Sequence, residues 1–221
     1  MFLDAFAFLI YPKTIRKLYN QDKKQIEAVL HTLRVNYTDT SHLIFYVAYA
    51  IFPIVLLFFP DYKTALLSVN ITSLSIILST NTVGYTTYLI ANNKEKTAAG
   101  ISVVSLLISF VVAAICAYVF KVEYSYVPIA IMVSYLFFAY ACGYKTYEDI
   151  LNEGRIKHLF KNVLTLKQFI PYCVAFFISI FEQSYFSILP LILFVALNVK
   201  SLKQILHTVK TVLQRPEIIN V

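Results

Sequence analysis

Six stretches of this chain carry no Asp, Glu, Lys or Arg, and their lengths constrain its fold more than any other feature. They are 43–60 (18 residues), 64–93 (30), 97–120 (24), 124–144 (21), 168–181 (14) and 183–199 (17). About 20 consecutive apolar residues cross the hydrocarbon of a bilayer, which makes each run a candidate membrane span. The 14-residue run reaches full length when its helix starts near Leu164 and Lys167 snorkels to the interface. The spans expected are therefore 43–60, 64–91, 97–120, 124–144, 164–182 and 184–199, the last two joined by a tight turn at 183–185. Composition agrees, with 59% hydrophobic and 14% charged residues over 221 positions. A soluble domain carries about 25% charge, and 18 Phe with 17 Tyr are too much apolar bulk for a disordered chain. The fold class expected is all-α, a polytopic transmembrane helix bundle of six crossings.

Orientation follows from the basic residues. Segment 13–42 carries six, 94–96 two, 145–167 five and the tail 200–221 four, whereas the alternate connections hold only Lys63 and Lys121. Seventeen of 19 basic residues thus fall on one side, which the positive-inside rule makes cytoplasmic. Six crossings return the chain to the side it left, so parity and charge agree. A basic nucleic-acid binder would need those charges on one folded face without intervening apolar spans, and no nucleic-acid partner is expected. The cytoplasmic segments read as amphipathic helices. Ile26, Val29, Leu30 and Leu33 recur at helical spacing within 13–42, Ile156, Leu159, Phe160, Val163 and Leu164 follow Gly154, a C-cap candidate, and Leu202, Ile205, Leu206, Val209 and Leu213 mark the tail before Pro216. Such helices suit the headgroup layer, with basic side chains facing anionic lipid.

The apolar stretch 1–12 is half a crossing long and lacks the basic start and small-residue cleavage site of a signal peptide. It reads as the cytoplasmic end of a truncated helix, or as a short interfacial anchor.

Catalytic signatures are missing. Only four glycines occur, which leaves no phosphate-cradling loop. His31, His42, His158 and His207 are scattered without metal-ligand spacing, and no Ser sits in a GxSxG elbow, so no metal, cofactor or enzymatic activity is expected. Cys116, Cys142 and Cys173 lie in apolar stretches and read as reduced packing residues. Glu148, Asp149 and Glu153 cluster beside Lys145 and Arg155, as a solvated helix extension would. No charged residue occupies the middle of any expected span, so nothing resembles an ion-coupling carboxylate.

The informative polarity lies within 64–93, where fourteen Ser, Thr or Asn residues occur. Asn70, Ser73, Ile77, Asn81 and Gly84 are spaced to share one helix face, with Leu66, Leu67, Leu74, Ile76 and Leu78 as lipid-facing bulk. Polar side chains at that depth need a neighbouring helix or a wet cavity, and the sequence leaves both open.

Several segments in order carry a resemblance. They are Tyr11-Pro12 followed by Arg16-Lys17-Leu18-Tyr19, the amphipathic segment 22–35, a crossing ending Phe58-Phe59-Pro60-Asp61-Tyr62-Lys63-Thr64-Ala65, and a polar span closing at Asn92-Asn93-Lys94-Glu95-Lys96. Together they resemble the C-terminal half of lipid-linked polysaccharide flippases, the polysaccharide-biosynthesis branch of the MATE-like superfamily. The resemblance implies a bacterial cell-membrane protein with a cytoplasmic C-terminus. It implies flipping of an undecaprenyl-diphosphate-linked oligosaccharide by alternating access between two helical halves, of which this chain matches one. The other half and polysaccharide-assembly proteins would then be partners, besides the bilayer and the lipid-linked sugar. Within that picture Asn70, Ser73, Asn81, Thr82 and Thr87 are the cavity-lining candidates. Arg16, Lys17 and Arg34 are candidates for attracting the diphosphate, unless they form a solvated membrane-facing surface. Pro128 and Pro171 are candidate bends. The alternative is a non-transporting membrane partner, or a membrane enzyme, of polysaccharide assembly.

The basic asymmetry makes a direct prediction. Single cysteines replacing Lys63 or Lys121 in a Cys-free background should react with an impermeant thiol reagent in intact cells. Cysteines at Lys96 or Lys203 should react only after permeabilisation, and the reverse pattern would overturn the topology.

Overall fold

The computed structural model describes residues 18, 23–151, 155–181 and 184–214, and these are all-helical without strands. The expected helix end at 1–12, Arg16, Lys17, Glu153, Gly154 and Pro216 lie outside the described residues. The α-helices are α1 (Lys23–Phe58), α2 (Leu66–Thr80), α3 (Tyr85–Ala91), α4 (Glu95–Ala114), α5 (Ile129–Ile150), α6 (Arg155–Asn162), α7 (Leu166–Ile180), α8 (Leu189–Leu197) and α9 (Val199–Gln214). Three helical stretches are long and apolar enough to cross a bilayer unaided: Gln25–Phe58, Glu95–Val119 and Tyr124–Ile150. Three bent pairs pass the same test together, α2 with α3 at 42°, α6 with α7 at 55° and α8 with α9 at 79°. The chain is a membrane protein.

Two features differ from the sequence expectation. The segment 13–42 and the span 43–60 were expected as separate elements, but one helix, α1, runs unbroken from Lys23 to Phe58. At 1.5 Å per residue it is about 54 Å long, well beyond the hydrocarbon core of about 30 Å. The amphipathic pattern and the apolar run are in phase, so nothing stops the helix between them. The expected span 64–91 is instead interrupted after Thr80. Ser79, Thr80 and Thr82 turn their hydroxyls onto the carbonyls of Ile76, Ile77 and Ser79 at 2.6–2.7 Å, drawing off acceptors at the helix end. Gly84 then takes φ 93°, a conformation with no Cβ penalty, before α3 starts. Asn81 is consequently the C-cap of α2, and the face drawn through Asn70, Ser73, Ile77, Asn81 and Gly84 does not continue as one helical stripe.

The two prolines also resolve. Pro128 is the N-cap of α5 and not a bend within it. Pro171 lies inside α7, where a proline removes the hydrogen bond to the carbonyl four residues back. That carbonyl, Lys167 O, accepts from Asn198 Nδ2 at 3.3 Å across the α7–α8 pair.

Packing divides into two cores. One gathers Leu18, Ile26, Leu30, Tyr85, Leu89, Cys142, Leu159 and Val163, joining α1, α3, α5 and α6 on the basic side. The other gathers Tyr46, Leu74, Ile77, Leu78, Tyr172, Ala175 and Phe194, joining α1, α2, α7 and α8. α5 packs on α4 and α2, and α9 folds back against α1. α4 packs along one side of α5 and leaves its outer face exposed: among its residues only Ser105 is buried, in reciprocal hydrogen bonds of 2.8 Å with the Ser134 hydroxyl and carbonyl of α5. At the basic end Lys94 forms a two-oxygen ion pair with Asp149 at 2.6 Å, and Lys145 pairs with Glu148 at 2.8 Å. Of the carboxylates singled out in the sequence, Glu148 and Asp149 are thus engaged in ion pairs.

Gly143 is where α5 admits α3 and α6. A Cβ there would lie 2.9 Å from Leu159 Cδ1, 3.0 Å from Val163 Cγ2 and 3.3 Å from a Tyr85 ring carbon, whereas a Cβ at Gly100 meets nothing within 4 Å. Gly143→Val is therefore expected to cost about 1–3 kcal/mol by overpacking. Gly100→Ala should stabilise by about 0.5–1 kcal/mol through lower chain entropy. Thermal unfolding of the detergent-solubilised variants measures both.

Candidate functional site

Two of the three breaks, α2–α3 and α6–α7, face the same side chain. Arg34 projects from α1, 6% exposed, and its guanidinium lies 4.0 Å over the centre of the Tyr85 ring. Nη1 donates to the carbonyls of Asn81 and Val83, the latter at 3.3 Å, and Nη2 to those of Asn162 and Val163 at 2.9 Å each. The four acceptors belong to the α2–α3 break and the α6–α7 break. Helix C-termini leave carbonyls without intrahelical partners and carry partial negative charge, so one cation caps both ends. A planar fork of N–H groups suits this geometry where a lysine ammonium would not. Among the described residues Arg34 forms no ion pair with a carboxylate; the ends of α2 and α6 supply the compensating charge.

Tight packing keeps the fork in place. A Cβ at Gly84 would sit 3.0 Å from Arg34 Cγ and 3.6 Å from Leu30 Cδ2, so the glycine gives the arginine stem its room. Asn162 Nδ2 donates to Tyr147 Oη at 2.9 Å, and Tyr85 and Tyr147 meet edge to face with ring centres 5.7 Å apart. Beside this knot lies a polar recess of about 60 Å³, lined by Glu27, His31, Arg34, Thr38, Asn162 and Gln168 among others. Glu27 is also 3.4 Å from His158 Nδ1 of α6.

The candidates from the sequence are not gathered into one cavity. Asn81 is 1% exposed, donates weakly to Ile77 O at 3.3 Å and has an unpartnered Oδ1. Thr82 and Thr87 are also buried, the Thr87 hydroxyl without a partner. Asn81 and Thr82 lie in the α2–α3 break that Arg34 caps, and Thr87 lies in the first turn of α3. Asn70 instead lines a crevice of about 10 Å³ near Tyr49, Pro53 and Ser187, and Ser73 is only half-buried. Arg34, expected as a cation open to a diphosphate or to headgroups, is buried with both terminal nitrogens engaged; Arg16 and Lys17 lie outside the described residues.

A second buried polar system went unread. Asp39 (3% exposed) and His42 (0%) sit on α1, inward of Arg34. Gln168 Nε2 donates to Asp39 Oδ1 at 2.7 Å, while its Oε1 accepts the Thr165 backbone N–H at 3.2 Å. The spacing Asp39, His42, Tyr46, Tyr49 was a usable signal, because those four share one helix face. Among the described residues no three His, Cys, Asp or Glu side chains converge as a metal site would need.

Comparison with known proteins adds no relative: no family model matches the chain, and neither curated proteins nor solved structures give a match.

The Arg34 knot predicts an order of stabilities. Arg34→Lys keeps the charge but not the fork, and Arg34→Met leaves four buried carbonyls without their donor. Wild type should unfold at the highest temperature, the lysine variant lower and the methionine variant lowest. The methionine variant should lose about 3 kcal/mol or more, since each unpaired buried group costs about 1–3.

Proposed function

We propose that this chain forms one helical lobe of a membrane flippase that moves undecaprenyl-diphosphate-linked oligosaccharide repeat units to the outer leaflet for surface polysaccharide. The carrying observation is the pair of interrupted spans whose breaks meet at Arg34. Irregular backbone at membrane depth is tolerated where protein buries it or where it lines a cavity, and discontinuous helices at such points mark the substrate regions of many transporters. The order of segments resembling polysaccharide flippases supports the same reading. Counting each bent pair as one span gives six crossings, with the basic connections and the end of α9 beyond His207 on the cytoplasmic side of a bacterial cell membrane. The exposed outer face of α4 then meets lipid or an opposing lobe, the arrangement that alternating access requires.

In this reading the lobe performs no bond chemistry. Asn81, Thr82 and Thr87 sit where the α2–α3 break would open, and the unpartnered Asn81 Oδ1 and Thr87 hydroxyl are free to meet sugar hydroxyls once it does. Weak, plural hydrogen bonds suit passage better than tight capture. The diphosphate would be drawn by the charge of the basic face as a whole, since the Arg34 fork is engaged with backbone.

Asn81→Leu, introduced at the chain's own chromosomal locus, separates transport from packing. A cavity role predicts reduced surface polysaccharide at nearly unchanged membrane abundance. A packing role predicts normal export with a stability change of no more than about 1 kcal/mol, since the Asn81 side chain makes only a weak bond to Ile77 O within its own helix. Asn70→Leu, in the distant crevice, should leave export nearly intact. Normal export from both variants would leave the flippase reading without support.

A further inference from the structure

Two facing stripes of polar side chains run inward from the recess. On α1 they are Asp39, His42, Tyr46 and Tyr49, and on α7 Gln168, Tyr172 and Ser179, with the Ala175 carbonyl between the last two. At the recess end Gln168 Nε2 and the Ser201 hydroxyl of α9 hold Asp39. One turn inward His42 is stacked on Phe194 of α8, ring centres 5.7 Å apart and planes 14° from parallel, with Nδ1 3.4 Å from Tyr46 Oη. At the far end Tyr49 Oη donates to Ala175 O at 3.1 Å or shares a hydrogen bond with Ser179 Oγ at 2.9 Å. Three buried polar atoms of this seam and its mouth lack partners: Thr38 Oγ1, which lies in the recess wall, His42 Nε2 and Tyr172 Oη.

An ionisable residue buried among membrane helices is costly to keep, and here a carboxylate and an imidazole lie three residues apart on one helical face. With the carboxylate ionised and the imidazole neutral, the pair holds one net negative charge away from water. One added proton cancels it, leaving either a carboxylic acid beside a neutral imidazole or a carboxylate beside an imidazolium. A hydronium ion arriving through the recess gives up the proton: one of its O–H bonds breaks, leaving neutral water, as a single O–H bond to Asp39 or N–H bond to His42 forms, and nothing is oxidised or reduced. The groups around the pair leave it this freedom. His31 and Lys167 are the charges acting on Asp39, and Tyr46, Tyr49, Tyr172, Cys173 and Tyr135 are the other titratable groups in or against the core. α2 contributes Leu74, Ile77 and Leu78, and α8 contributes Phe194, none of which titrates. Anything larger than a proton or water is excluded, because the pair itself is closed over and only the recess is open.

We infer that Asp39 and His42 together form a binding site for one proton, reached from the basic side of the protein through the recess at Thr38. The inference does not rest on the flippase reading.

Infrared difference spectroscopy of the full chain in zwitterionic nanodiscs, between about pH 8 and about pH 5, tests it across the carboxyl and imidazole range. Wild type should gain a carboxylic-acid C=O band that shifts on aspartate ¹³C labelling, or an imidazolium band assignable by ¹⁵N-histidine labelling. Asp39→Asn should abolish the band and lower potentiometric proton uptake by about one proton per chain. His42→Gln should lower the remaining midpoint by about one pH unit, because the two groups titrate as a pair. Gln168→Leu keeps both titrating groups and should keep the band at a shifted midpoint, which guards against misfolding of the Asp39 variant. A band that persists in Asp39→Asn, uptake equal to wild type in both variants, or a midpoint unmoved by His42→Gln would each overturn the inference.

Discussion

Backbone polar groups in a membrane protein must be satisfied from within, and in this chain one guanidinium meets that requirement for two broken helices at once. Arg34 holds carbonyls of Asn81 and Val83 on one side and of Asn162 and Val163 on the other. Without it, α2 and α6 would end in unpaired acceptors beside a protein core. With it, the bends of 42° and 55° become stable corners, and the two cores of the bundle meet at a fixed level. The recess beside the guanidinium and the seam inward of it take their places from that junction.

Much of this architecture can be read from the residues alone, because the hydrophobic constraint is coarse and long-ranged. Uncharged runs of 18 to 30 residues mark membrane helices whatever their neighbours do. The breaks are a different matter. Ser79, Thr80, Asn81 and Thr82 are compatible with a continuing helix, and only their bonding to nearby carbonyls, with Gly84 available for φ 93°, ends it. Such competition between side chain and backbone is settled by tertiary contact, above all by a cation contributed from 47 residues away.

The candidate residues divide along the same line. Asn81, Thr82 and Thr87 were visible as polarity in an apolar run, yet their burial needed the fold. Arg34 itself was counted as one cytoplasmic charge among six. Asp39 and His42 escaped for a simpler reason: they precede the uncharged run, in a stretch that charge assigns to the cytoplasm but the helix carries into the bundle. Helical periodicity would have kept them, since Asp39, His42, Tyr46 and Tyr49 repeat at intervals of three, four and three. Charge counting fixes which side of the membrane a loop occupies; it is a poor guide to where a helix begins.

The long sequence separation of these contacts bears on how the protein is made. Arg34 finds its first acceptors 47 residues downstream and the rest only 128 and 129 residues downstream; Asp39 waits 129 for Gln168. At ribosomal speeds of about 5–20 residues per second, that is on the order of ten seconds. For that interval α1 carries a cation with only its α2–α3 acceptors and a carboxylate without its amide partner, so the insertion machinery or the headgroup layer must shelter it. α1 is thus completed only after α6 and α7 have been made.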